Sequence, residues 1–353
     1  MNNFWINKKV LITGHTGFVG SWLTLALNNF GTNVYGISLN IPTIPSHFEY
    51  FNNESVVKSF FVDIRDRKKL EECINNINPD IIFHLAAQSL VIDSYHYPEE
   101  TFSTNIMGTV NLLEIFRANS STNLFINITS DKCYENNNIK KFFKETDRLG
   151  GHDPYSCSKS CSELITNSYN KSFLKNSTKK LLSVRAGNII GGGDWSQNRL
   201  IPDLIRAAID KKKLVIRNPS SIRPWQHVFD AINGYLLLAY KASQSNNNLT
   251  GAWNFGPNNE NIFDVQTLIE EAMKYIKCEI IYANPNENLE ESKILMLDSS
   301  KAKKNIGWNP RLDKNNSIKK TMEWYIEYLS VKGNKESMYK FSNNQILAFF
   351  GNE

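Results

Sequence analysis

The stretch Val10-Leu11-Ile12-Thr13-Gly14-His15-Thr16-Gly17-Phe18-Val19-Gly20 decides the fold. A run of strand length passes directly into glycines spaced G-x-x-G-x-x-G, and a helical pattern follows from Phe18 to about Asn29. Glycines let a backbone approach a pyrophosphate closely. The helix N-terminus behind them offers free N–H groups and the positive end of the helix dipole. Strand, glycine turn and helix in that order predict a dinucleotide cradle made by Gly14, Thr16, Gly17, Phe18, Val19 and Gly20. No Gly-Lys-Ser/Thr ends the turn, so it is not a P-loop.

Outward from this turn the chain alternates. Gly31 closes the first helix, and Asn33–Ile37 reads as a second strand. Phe60–Val62 is a third strand ending at Asp63, and Asp66–Ile77 a helix. Ile81–Leu85 is a strand, followed by a helix that begins at Asn105 and runs through Gly108–Asn119. The strand Leu124–Ile128, the helix Pro154–Phe173 and the strand Leu181–Arg185 complete the series. Such alternation predicts an α/β fold, a Rossmann-type doubly wound parallel sheet that binds ligands at the carboxyl ends of its strands. Beyond Arg185 the pattern loosens at Gly191–Gly193 and Pro202. Residues 1–187 are therefore expected to form the cofactor-binding domain. Residues 188–227 and 258–353 are expected to form mainly a smaller mixed substrate-binding domain. The helical run Val228–Ala242 and the strand-like Ala252–Phe255 return residues 228–257 to the main sheet.

Composition narrows the partners. The 353 residues carry a formal net charge of only +5, and 21% are charged, which does not suit a nucleic-acid binder. Lys211, Lys212 and Lys213 read as a solvated helix end. No stretch is apolar over the length of a membrane span or secretory signal, so no membrane partner is expected. Five cysteines, an odd number without a signal, predict reduced thiols and a cytoplasmic location. Cys157 and Cys161 lack neighbouring ligands, so no metal is expected there.

Three groupings carry chemistry. Tyr155 and Lys159 stand four apart on a predicted helix and share a face, where an ammonium can stabilise a tyrosinate as base. Tyr328 and Lys332 repeat this spacing, but only the upstream pair has Ser130 one strand earlier. Ser130, Asp131 and Lys132 follow a central strand, putting a hydroxyl, a carboxylate and an ammonium where a ligand should lie. Along the other strand ends, Asp63 and Ile64 are placed at the adenine. Leu85, Ala86, Ala87 and Gln88 follow His84 where the ribose and nicotinamide would pass, and Asn105 completes the groove.

These residues resemble the extended short-chain dehydrogenase/reductase superfamily and, within it, the nucleotide-sugar 4,6-dehydratases, closest to their CDP-glucose group. The resemblance spans nearly the whole chain. It rests on the Gly14–Gly20 turn with His15, on Ile128-Thr129-Ser130-Asp131-Lys132-Cys133-Tyr134 and on Asp153-Pro154-Tyr155. It continues through Arg185-Ala186-Gly187-Asn188-Ile189-Ile190-Gly191-Gly192-Gly193-Asp194-Trp195, Arg223-Pro224-Trp225-Gln226-His227 and Trp253-Asn254-Phe255-Gly256-Pro257. It implies that Ser130, Tyr155 and Lys159 are the hydride-transfer triad and Asp131 the acid that protonates a departing hydroxyl. Lys132 stands where most hexose dehydratases carry a glutamate base, as in the CDP-glucose group. Asn188 and Arg223 match diphosphate-binding positions, with Arg199, Arg206 and Arg217 near them, and His84 and His227 are placed with the substrate. Val19 replaces a lysine of that group's glycine loop. The second strand ends Ile37-Ser38-Leu39-Asn40, without the acid that usually holds the adenine ribose, and nothing basic lies between Asn33 and Ser46, which favours NAD. The resemblance also implies a CDP-sugar substrate, a homodimer, and a reaction of C4 oxidation, loss of water across C5–C6 and hydride return to C6. Three rivals remain at this point, the first another NDP-sugar 4,6-dehydratase. A 4-epimerase needs the triad and no acid beside it, and a non-catalytic dinucleotide-binding regulator needs neither.

Overall fold

The structure, a computed structural model, describes residues 1–137, 140–244, 249–283 and 294–351. Its strands are β1 (Lys9–Thr13), β2 (Asn33–Ser38), β3 (Lys58–Phe61), β4 (Ile81–His84), β5 (Leu124–Ile128), β6 (Phe142–Phe143), β7 (Lys180–Ala186), β8 (Asn188–Ile190), β9 (Lys213–Ile216), β10 (Ile222–His227), β11 (Gly251–Phe255), β12 (Ile262–Asp264), β13 (Glu279–Tyr282) and β14 (Met296–Leu297). Seven of them form one sheet in the order β11-β7-β5-β4-β1-β2-β3, every pairing parallel. This is the doubly wound Rossmann sheet.

The two-residue period of the strands builds its two faces. Val10, Ile12, Ile81, Phe83 and Ile126 point into one buried layer, with Trp22, Leu23 and Leu27 of the helix Phe18–Asn29 and Phe229 and Ile232 of the helix Val228–Ser243. Leu11, Ile82 and Phe125 point the other way, to Leu70 and Ile74 of the helix Arg67–Ile77 and Leu112 and Phe116 of the helix Gly108–Ala118. Central strands buried on both faces read as unbroken apolar runs, which is why the sequence marks them clearly. The return of Val228–Ser243 and β11 to this sheet is observed, β11 pairing β7 from Gly251 beside Leu182 to Phe255 beside Ala186.

Two boundaries differ from expectation. The third strand is Lys58–Phe61, because Phe60 and Phe61 lie on an exposed edge where burial does not mark the strand. The helical course before Gly108 starts earlier, with Pro98–Phe102, and a π turn at Ser103–Met107 precedes Gly108–Ala118. Asn105 therefore sits inside a helical bulge and does not open a helix.

The remaining strands form small sheets, β12-β10-β8, β13-β9 and β14-β6. Between them and the main sheet runs the loop Gly191–Trp195. Trp22 Nε1 donates to Gly192 O at 2.9 Å, and a Cβ on Gly192 would stand 2.1 Å from the Trp324 ring. Tyr325 donates its hydroxyl to Asp194 O at 2.5 Å. His47 stacks on Trp22 with ring centres 4.0 Å apart and meets Ser342 Oγ at 3.2 Å, while Asn29 bonds Asn343 at 2.7 Å. The helices Lys314–Ser330 and Lys335–Phe350 thus close over the first nucleotide-side helix. No helix among the described residues is long and apolar enough to cross a membrane.

Candidate active site

A cavity of about 1200 Å³ opens at the carboxyl ends of β1, β2, β4, β5 and β7. Drug-sized ligands fill roughly 300–1,000 Å³, so the space accommodates more than one such molecule. The glycine turn forms one wall. Gly14 has φ 77°, and a Cβ there would lie 2.7 Å from Ala86 N, so the turn is pressed against the end of β4. Thr16, Gly17, Phe18, Val19 and Gly20 line the same wall, with Leu85, Ala86, Ala87 and Gln88 opposite. Side-chain-free backbone in front of a helix N-terminus fits a dinucleotide pyrophosphate.

Asp63 and Ile64 line the far end. Arg65, which the sequence reading passed over, lines it too. It grips Asp63 through Nε and Nη2 at 2.9 and 2.7 Å, and that hydrogen bonding holds the Asp63 carboxyl below its usual range. Asn40 and the stretch Pro42 to Pro45 also line the cavity; these residues carry no chemical signal in the sequence.

Ser130, Asp131, Lys132, Tyr155 and Lys159 meet in the middle. The helix Pro154–Phe173 starts where it does because Asp153 caps it, accepting from Ser156 N at 2.9 Å, with Pro154 in the first turn. That start puts Tyr155 and Lys159 one turn apart under the end of β5. Burial pushes the Tyr155 phenol up to about 12, against a hydrogen bond to Ser130 and the charge of Arg199, which pull it down. Burial brings the Lys159 ammonium down to about 8, and Glu163 acts against it. Asp131 is 3% exposed. Its Oδ1 accepts from Ser130 Oγ at 3.1 Å, and its Oδ2 has no hydrogen-bond partner among the described residues. Burial raises this carboxyl to about 6, in spite of Lys132, Ser130 and Arg223. It is therefore an acid able to hold a proton near neutrality.

On the other side stand Asn188, Arg199, Arg206, Arg217 and Arg223. Arg199 pairs with Asp194 at 3.0 Å, and this pairing raises its pKa. Arg206 lines the cavity while donating to Trp195 O and Ser196 O at 2.7 and 2.9 Å. Asp194 was missed as a site residue. Its signal was the polar side chain in an otherwise small and aromatic stretch, Gly191–Trp195.

Three expected site residues do not line the cavity. His84 faces Thr13 in register and is buried, bonding Thr13 Oγ1 at 2.7 Å and Thr109 Oγ1 at 3.2 Å. Burial pushes it down to about 3, so it is a neutral tie between strand and helix. His227 is likewise buried and lowered to about 3 by burial. Its Nδ1 accepts from Phe229 N at 3.2 Å, which makes it the cap of Val228–Ser243. Asn105 lies behind the groove. It accepts from Gln88 N at 2.8 Å and donates to Gln88 O and Ser158 Oγ at 2.9 and 2.8 Å, so it orients Gln88.

Known proteins resemble the chain along nearly its whole length. Residues 11–321 match the family model described as GDP-mannose 4,6 dehydratase. The chain is 42% identical over 333 residues to the CDP-glucose 4,6-dehydratase of Salmonella typhimurium, covering 93% of each. It is 26% identical over 345 residues to the dTDP-glucose 4,6-dehydratase of the same organism, covering 90% of this chain and 92% of that one. Among solved structures, an epimerase of Methanothermobacter thermautotrophicus superposes with TM-score 0.81 at 23% identity, over 94% and 95% of the two chains. A dTDP-glucose 4,6-dehydratase of Bacillus anthracis in complex with NAD superposes with TM-score 0.76 at 21% identity, over 92% and 98%. These last two establish the fold alone.

Proposed function

The chain belongs to the GDP-mannose 4,6-dehydratase family of extended short-chain dehydrogenase/reductases, and from that premise we infer that it is an NAD-dependent hydro-lyase that converts CDP-D-glucose to CDP-4-keto-6-deoxy-D-glucose. One observation carries the reaction type. A buried carboxylic acid, Asp131, stands in the same cavity as Ser130, Tyr155 and Lys159, with one oxygen unpartnered among the described residues. An epimerase has no use for that acid, and a regulator has no use for the triad. Similarity over 93% of both chains to a CDP-glucose enzyme supports the nucleotide sugar.

Bound NAD supplies hydride acceptance from C4 and return to C6. The protein's residues do the rest. Tyr155, hydrogen-bonded to Ser130 and one turn from Lys159, removes the 4-hydroxyl proton. The resulting 4-ketone acidifies C5. A base then takes the C5 proton while Asp131 gives its own proton to the 6-hydroxyl, which leaves as water; Lys132, standing where most hexose dehydratases carry a glutamate base, lines the same cavity. Asn188, Arg199, Arg217 and Arg223 face the diphosphate. We assign residues 1–187 and 228–257 to the cofactor half, and 188–227 and 258–353 mainly to the substrate half.

Incubation with CDP-glucose, followed by alkali and absorbance of the 4-keto product, tests this function. Release of only the C4 epimer would replace it with the epimerase reading. NAD is expected to bind more tightly than NADP, because Ser38, Leu39 and Asn40 bring no cation and Arg65 is engaged by Asp63. Titrating cofactor-stripped protein with each is the check, and tighter NADP binding would refute the preference. A homodimer follows from the family resemblance. Light scattering that returned a monomer mass across micromolar concentrations would contradict it.

A further inference from the structure

Beneath the active site lies a buried ion pair that the reaction does not itself require. Glu163 and Arg185 are each 3% exposed in their side chains, and Arg185 Nη2 meets Glu163 Oε2 at 2.8 Å. Glu163 is four residues beyond Lys159 on the same helix, so it shares its face. Its Oε1 accepts from Thr129 Oγ1 at 2.5 Å, and its Oε2 also accepts from Ser183 Oγ at 2.7 Å. Thr129 precedes Ser130 and Asp131, and Ser183 lies on β7. Arg185 in turn donates to Tyr134 OH at 2.7 Å, and Tyr134 donates to Asn254 Oδ1 on β11 at 2.7 Å. One carboxylate thus joins every element that carries a catalytic group.

We propose that Glu163, paired with Arg185, is a positioning residue for the dehydration: it fixes the end of β5, with Ser130 and Asp131, against the helix bearing Tyr155 and Lys159, and serves as the counter-charge of the Lys159 ammonium. A buried ion pair seldom adds stability over an apolar pair of the same volume, so its geometry calls for another use. The titratable groups acting on Lys159 are Glu163 from its own helix, Cys133 from the turn after β5 and His84 from β4; Tyr155 and Asp131 line the same cavity. Of these, Glu163 is the anion that acts first against the burial of Lys159.

The inference rests on the dehydratase reading, so the wild-type holoenzyme is assayed first. Failure on CDP-glucose would remove the substrate assignment alone, and the remaining measurements would follow nicotinamide reduction with UDP- or dTDP-glucose. Glu163→Gln keeps the size, can still accept from Ser183 through its oxygen and can donate to Thr129 Oγ1 through its amide nitrogen, but loses the charge. Without the carboxylate, Lys159 gives up its proton at lower pH. The alkaline limb of kcat/KM should move down by ~1 pH unit or more, the usual effect of an opposite charge at short range. The same variant should lose kcat by about 10-fold with little change in KM, the pattern of an interaction made in the transition state. Glu163→Asp should bring the limb back. If Glu163→Gln does not fold, Glu163→Gln with Arg185→Leu removes both buried charges; it is expected to keep the loss of kcat with a limb nearer the wild-type position, because the two charges act on Lys159 with opposite sign. A folded variant with a lower Tm but the wild-type pH profile and kcat would overturn the proposal and leave the pair purely structural.

Discussion

Replacing Tyr155 with phenylalanine should leave a folded protein that binds NAD and turns over CDP-glucose ~10²–10⁴-fold more slowly, the usual worth of positioned acid–base catalysis. The ring is buried and its replacement has the same shape, so packing survives. What disappears is the hydroxyl that hydrogen-bonds Ser130. Burial keeps this phenol protonated at rest, up at about 12, while Ser130 and the Arg199 charge pull it down. Wild-type kcat/KM should therefore rise with pH from the acid side as the tyrosinate becomes easier to form. The variant should lose that rise. Near wild-type kcat in Tyr155→Phe would remove Tyr155 as the base.

Asp131→Asn should separate the two halves of the reaction. Asparagine keeps the size and can hydrogen-bond, but it has no carboxylic proton to give. Oxidation at C4 depends on Tyr155 and should survive. Loss of water should slow by ~10²–10⁴-fold. Reduced-nicotinamide absorbance should then build up after mixing with CDP-glucose and decay slowly, which stopped flow can follow. Because burial raises the wild-type carboxyl to about 6, its protonated form thins out as pH climbs above that value. The wild-type elimination step should slow accordingly, and the variant should lose this dependence. Formation of 4-keto-6-deoxy product by Asp131→Asn at the normal rate would sink the assigned role.

The central sheet was legible because its strands are buried on both faces and each is followed by a glycine, a cap or a turn. Asp153 and Pro154 announced the helix that holds Tyr155, and Asp66 announced Arg67–Ile77. The edge strand β3 was placed late because half-exposed residues carry no apolar run. In the site, Gly14–Gly20, Ser130, Asp131 and the Tyr155–Lys159 pair were readable because spacing alone puts them at strand ends or on one helical face. His84, His227 and Asn105 were not separable from true lining residues in the same way. A polar side chain at a strand end or helix start looks alike in sequence whether it opens onto ligand or ties two elements together. His84 lies on the face that meets Thr109, which is known only once the π turn has rotated that helix. The Glu163–Arg185 pair was invisible for another reason. Its partners come from four separate segments, and no local pattern links them.

The long-range contacts of His47 and of the helix Phe18–Asn29 also bear on how the molecule is made. Trp22 reaches a carbonyl 170 residues later, His47 a hydroxyl 295 residues later, and Asn29 an amide 314 residues later. A polypeptide emerges from the ribosome in order, and domains ordinarily consolidate in that order. Here the first nucleotide-side helix waits with one flank open until Lys335–Phe350 has been synthesised and released. Loop closure over such separations delays the rewarding contacts, so the flank that Ser342 and Asn343 cover stays open until the last helix is made.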